Sequence, residues 1–151
     1  MKQEDWLKYG ALALGVVGFV LLFLLAFSSG GDLEGRTWVV EQMSVEGSAV
    51  TPIEGTAITA NFEDGTVAGI ASCNNYFAGY ETDGSTITVG PAGATLMFCG
   101  EPAGVMDQEQ VYLSLLHAAD TFDVDGDTLT LSAGDTVVIT YNEAVAEQQN
   151  A

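Results

Sequence analysis

Residues 57–71 read AITANFEDGTVAGIA. Ile58, Ala60 and Phe62 fall on one side of this segment, and Thr59 and Asn61 fall on the other. That period of two is the mark of a half-buried strand. Glu63-Asp64-Gly65 follows, and Asp-Gly between alternating runs is a strong hairpin signal. Residues 66–71 are then the returning strand.

The same grammar extends outward in both directions. Residues 76–81 and 86–89 flank Thr82-Asp83-Gly84, a second hairpin. Upstream, residues 37–43 (TWVVEQM) read as a strand, and residues 94–99 read as a further one. The period changes after Pro102. Val105, Tyr112, Leu116 and Ala119 share one helical face, with Leu115 beside them, which predicts an amphipathic helix over 104–119. Three short strands follow at 121–124, 128–132 and 136–141. Asp125-Gly126 and Gly134-Asp135 separate them. The expected fold is α+β: a curled, mostly antiparallel β-sheet, closed far enough to be a partly open barrel, with one helix over an opening or face.

Charge narrows the partners. The chain of 151 residues has 21 Asp and Glu against 3 Lys and Arg, for a net charge of −18. The three basic residues are Lys2, Lys8 and Arg36, so none lies from Thr37 onward. Such a surface lacks the cations that neutralise phosphates, and nucleic acid is excluded as a partner. A polybasic attraction to anionic lipid is excluded on the same ground. The acid excess reads as an adaptation to solvent, because external salt would screen the self-repulsion. Thermal stability of the protein should therefore rise with added salt. A melting temperature independent of salt would remove this explanation.

The N-terminal part is of another kind. Residues 11–27 carry no charge and are almost wholly apolar. Residues 9–28 would rise roughly 30 Å as a helix, about the thickness of a bilayer core. Lys2 and Lys8 precede the run, while Asp32 and Glu34 follow it. The positive-inside rule thus predicts a single-pass anchor in the cytoplasmic membrane, N-terminus inside and the C-terminal domain outside. The alternative is a cleaved signal peptide ending at Ser28, which would release a secreted domain. The expected organisation is a cytoplasmic stub, anchor and Ser-Gly linker over 1–31, an exported domain over 32–142, and a polar tail over 143–151.

Little in the exported part suggests catalysis. His117 is the only histidine, and no G-x-S-x-G nucleophile elbow accompanies it. A zinc site built on one histidine is weak. Asp123, Asp125 and Asp127 alternate, but the glycine and glutamate positions of a calcium loop are missing, so an outward-facing Asp-Gly hairpin fits them better. No cofactor or metal site is expected, and no catalytic residue is assigned. Cys73 and Cys99 are an even pair in an oxidising compartment. They are expected to bridge, with two buried thiols as the alternative.

Residues 69–80 (GIASCNNYFAGY) resemble the signature of the META domain family, also called HslJ-like. Gly69, Cys73, Asn74, Tyr76, Gly79 and Tyr80 carry it. Thr95, Met97 and Cys99 match the family's Thr-x-Met-x-Cys segment, and Glu109, Tyr112 and Leu116 match its acidic helix. Leu33, Gly35 and Trp38 match the opening, and Gly126, Leu129 and Leu131 match the closing hairpin. Ser72 departs, because the family usually has Gly before the Cys. The resemblance implies a small envelope-associated α+β domain, with heat-shock and novobiocin-resistance associations and no established catalytic site. The functional expectation is a non-enzymatic, membrane-anchored binding or assembly module of the stress response, with an envelope protein as partner. A second expectation is a small-molecule carrier with an apolar ligand in the barrel mouth. Trp38, Tyr76, Phe77, Tyr80 and Phe98 would line that mouth.

Overall fold

A computed structural model describes residues 32–145 of the chain. The expected anchor and most of the polar tail lie outside the described residues. Among the described residues no helix is long and apolar enough to cross a membrane. Within the described residues ten strands and one helix follow in order. They are β1 (Thr37–Val45), β2 (Ser48–Val50), β3 (Thr59–Glu63), β4 (Thr66–Ile70), β5 (Asn75–Asp83), β6 (Thr86–Val89) and β7 (Gly93–Ala94), then α1 (Val105–Ala118), β8 (Thr121–Asp125), β9 (Thr128–Ala133) and β10 (Thr136–Glu143). The β10 ladder takes in Glu143, the first residue of the expected tail.

All strand pairings are antiparallel, in the order β10-β9-β8-β6-β5-β4-β3-β1-β2, with β7 on the side of β5. Strand β1 also pairs with β10, from Trp38↔Glu143 to Met43↔Ile139. The barrel is therefore closed, where the sequence suggested a partly open one. The physical reason is a pairing between the two ends of the domain, which no local pattern announces. A register irregularity between Val40 and Gln42 lets β1 bend into it. The β6–β8 junction is the thinnest, with one residue pair, Thr86↔Thr121. Two further backbone bonds support it, Ile87 N to Asp120 O (3.0 Å) and Phe122 N to Ser85 O (2.8 Å).

Alternation fills the interior. Trp38 and Val40 come from β1, Ala60 and Phe62 from β3, Tyr76, Ala78 and Tyr80 from β5, and Leu129, Leu131, Ile139 and Tyr141 from β9 and β10. Helix α1 lies against β1, β6 and β10 and inserts Tyr112 and Leu116. Gly104 precedes it with φ +86°, a left-handed conformation that glycine takes without strain.

One glycine marks a close approach. A Cβ on Gly69 would lie 2.1 Å from the carbonyl oxygen of Thr59 on the neighbouring strand. Both groups are backbone, so neither can swing away. Gly69→Ala is expected to destabilise the fold by about 3 kcal/mol, with β3 forced off β4. Urea unfolding of the variant reads this directly, and an unchanged midpoint would contradict it.

The segment 94–99 is not a strand as expected. β7 covers only Gly93–Ala94, and residues 95–100 run on outside the ladder without turn or bend. A side chain takes the place of the neighbouring strand there.

Candidate functional site

That side chain belongs to Asn74, at the β4–β5 turn. Its Nδ2 donates to Met97 O (3.1 Å), and its Oδ1 accepts from Met97 N (2.7 Å). The amide thus pairs with Met97 as a peptide unit of a strand would. Oδ1 also accepts from Thr95 Oγ1 (2.8 Å). The second Nδ2 proton goes to Glu109 Oε1 (2.8 Å) on α1. The other Glu109 oxygen accepts from Asn74 N (2.7 Å) and Cys73 N (3.2 Å). Both residues are buried, Asn74 at 2% and Glu109 at 6% exposure. A buried carboxylate persists only with such donors around it. Among the described residues no buried side-chain nitrogen or oxygen lacks a partner.

Three elements therefore meet at one turn: the β4–β5 corner, the 95–99 segment and the helix. A Cys73–Cys99 disulfide closes the same junction. Its sequence separation of 26 residues corresponds to roughly 3.5 kcal/mol of denatured-state entropy. Beside it, Gln108 accepts from Ile53 N (2.7 Å) and donates to Thr56 Oγ1 (2.9 Å) and Ser72 Oγ (2.7 Å). Ser72 has φ +101°, which accounts for a glycine preference at that position.

Sequence reasoning assigned no role to Gln108 and matched Glu109 only as part of a helix pattern. A signal was present. Val105, Glu109, Tyr112 and Leu116 follow one helical stripe, so a carboxylate sits among apolar side chains and requires partners.

The five aromatic residues expected to line a ligand mouth are not brought together. Trp38, Tyr76 and Tyr80 point into the filled core, at 0%, 2% and 6% exposure, while Phe77 and Phe98 lie outside at 62% and 84%. Trp38 Nε1 donates to Leu33 O (2.9 Å), and Tyr80 Oη donates to Glu34. These two bonds pin the start of the domain to the barrel. The hydroxyl of Tyr76 bonds Thr59 O (2.9 Å) and Tyr112 Oη (2.7 Å), and Tyr112 reaches Tyr141 Oη (3.2 Å). Burial holds the phenols of Tyr76, Tyr112 and Tyr141 well above the usual tyrosine range.

His117 stays at the surface, where Nδ1–H donates to Val89 O (2.7 Å). Asp123 and Asp125 lie on β8 and Asp127 in the turn that joins it to β9. Among the described residues no group of three or more His, Cys, Asp or Glu is placed to hold a metal ion.

The sequence profile of the META domain matches residues 31–146, spanning the whole barrel. The chain belongs to the META domain family. Two solved structures share the fold. An NMR structure of a protein from Burkholderia xenovorans is 22% identical, with a TM-score of 0.63 over 75% of this chain and 84% of that one. A second NMR structure is 21% identical, with a TM-score of 0.53 over 72% of this chain and 89% of the other. No curated protein matches the chain.

In this META domain the family-motif residues occupy two places. Cys73, Asn74, Thr95, Met97 and Cys99 build the junction just described. Gly69, Tyr76, Gly79 and Tyr80 shape β4 and β5. Gly79 lies under the β3–β4 turn, where Gly90 N bonds its carbonyl (2.8 Å) and Tyr80 N bonds Gly65 O (2.9 Å).

Proposed function

We propose that this META domain is a non-enzymatic binding or assembly module of the envelope, held by an N-terminal membrane anchor outside the cytoplasmic membrane and used in the stress response. The supporting observation is the division of apolar surface. The barrel is closed and its interior filled, so binding falls to the outside. There, Leu96, Met97 and Phe98 stand at 99%, 54% and 84% exposure. Exposed apolar groups of this density mark interaction sites. The apolar run at 11–27 joins the domain at the end pinned by Leu33 and Glu34, which suits a tether.

The test is crosslinking in intact cells followed by affinity capture, with protease added from outside. The domain should be cleaved in cells whose membrane is intact, and one specific envelope protein should be recovered. Protection of the domain, or recovery of abundant background alone, would refute the reading.

A further inference from the structure

Residues 95–99 have the sequence of a strand and one edge filled. Met97 spends both backbone groups on the amide of Asn74. In an extended chain the backbone groups of successive residues point to opposite sides. Those of Leu96 and Phe98 therefore point away from Asn74, and they have no hydrogen-bond partner among the described residues. The segment is also anchored at both ends. Thr95 N bonds Asn75 O (3.0 Å) on β5, and Cys99 is bridged to Cys73. An edge strand that is long, apolar and unpaired is a template for another chain, and folds normally blunt it with Lys or Pro. Here neither is present between Thr95 and Gly100.

We infer that residues 95–99 form a docking strand that takes an extended segment of another protein, apolar in alternation and flanked by Lys or Arg, as an added β-strand. Main-chain bonds to Leu96 and Phe98 supply the ladder, and the exposed side chains supply the apolar contact. Charge selects the occupant. No Lys or Arg lies from Thr37 onward, and Glu101 and Asp107 are exposed close to the strand. A basic flank is favoured, and a second copy with a net charge of −18 is repelled. Position argues the same way. The chain enters the barrel beside Tyr80 and Gly65, at the β3–β4 turn, whereas Asn74 lies at the other end of β4. The strand thus faces away from the tether, toward proteins rather than lipid. This last point rests on the anchored-module reading; the ladder does not.

The experiment uses the full chain in detergent micelles and a displayed library of random peptides. Enriched peptides should alternate apolar residues between Lys or Arg flanks. Three changes should each weaken binding by at least about tenfold: Phe98→Pro, N-methylation of alternate peptide amides against the unmutated protein, and Glu for Lys in the flanks. Phe98 is exposed and Met97 keeps its bonds to Asn74, so an unchanged thermal melt verifies the variant's fold. The N-methylated peptides test the ladder without any mutation. No enrichment over empty micelles overturns the proposal, as does binding indifferent to both Phe98→Pro and N-methylation. Burial of Phe98 by self-association, or by zwitterionic vesicles in preference to peptide, overturns it too. A ladder formed in micelles by a domain that proves cytoplasmic would refute the anchoring alone.

Discussion

Asn74→Asp is expected to remove most of the stability of the domain, although it changes one group by a single heavy atom. The amide makes four side-chain bonds: two donated, to Met97 O and Glu109 Oε1, and two accepted, from Met97 N and Thr95 Oγ1. Aspartate keeps the two acceptor positions and loses both donors. Met97 O then meets an oxygen, and so does the Glu109 carboxylate, at a site 2.8 Å away. Each lost bond to a buried group costs about 1–3 kcal/mol. Two adjacent buried acids add a further penalty through like-charge repulsion. The total is about 4–6 kcal/mol, against the 5–15 kcal/mol typical of a whole domain. Asn74→Ala, which leaves cavities but no like charge, should cost less, about 3 kcal/mol. Combining Asn74→Asp with Glu109→Gln restores one pairing with its polarity reversed, because Gln donates where Glu accepted. The double variant should therefore be more stable than Asn74→Asp alone by about 1–2 kcal/mol. Urea unfolding of the parent, Asn74→Asp, Glu109→Gln and the double variant measures the cycle, with Asn74→Ala alongside. An aspartate variant within 1 kcal/mol of the parent would show that this junction does not hold the fold.

The legible parts of this fold were those that depend on neighbours in sequence. Ile58, Ala60 and Phe62 alternate because one face of β3 is buried, and the Asp-Gly turns mark the hairpins. The helix showed itself through Val105, Tyr112 and Leu116. What escaped depends on distant partners. The β1–β10 ladder joins Trp38 to Glu143, and alternation within either strand is the same whether that ladder exists or not. Residues 94–99 mislead for a related reason. Their composition specifies an extended chain, and no turn or bend interrupts it after Ala94, but nothing local says whether a strand or the Asn74 amide lies beside it. The ligand mouth failed on parity, which was visible. Tyr76 and Tyr80 share a side of β5, and Phe77 takes the other, so these three cannot line one cavity.

Stability should hold level up to about pH 10 and then fall steeply, and most of the cause lies in three buried phenols of one hydroxyl chain, with Tyr80 beside Glu34 raised as well. An ordinary tyrosine titrates near 10, whereas burial raises Tyr76, Tyr112 and Tyr141 above that value in the folded protein. Below pH 10 both states hold these protons, and pH has no leverage on them. Above it the unfolded chain releases protons that the folded chain retains. The unfolded state then binds fewer protons, so stability declines as pH rises. Each phenol contributes up to about 1.4 kcal/mol per pH unit, and three together up to about 4. The sequence makes the measurement clean, because the domain over residues 32–145 has no lysine and its two cysteines are bridged. Urea unfolding between pH 8 and 12 should show the break, and phenolate absorbance should appear together with loss of structure rather than before it. Tyr112→Phe separates the proton effect from packing. It lowers stability at pH 8 by about 1–2 kcal/mol, because Tyr141 Oη loses its partner. It also makes the alkaline slope shallower by up to about 1.4 kcal/mol per pH unit. A slope unchanged by Tyr112→Phe would place the alkaline transition elsewhere than in this hydroxyl chain.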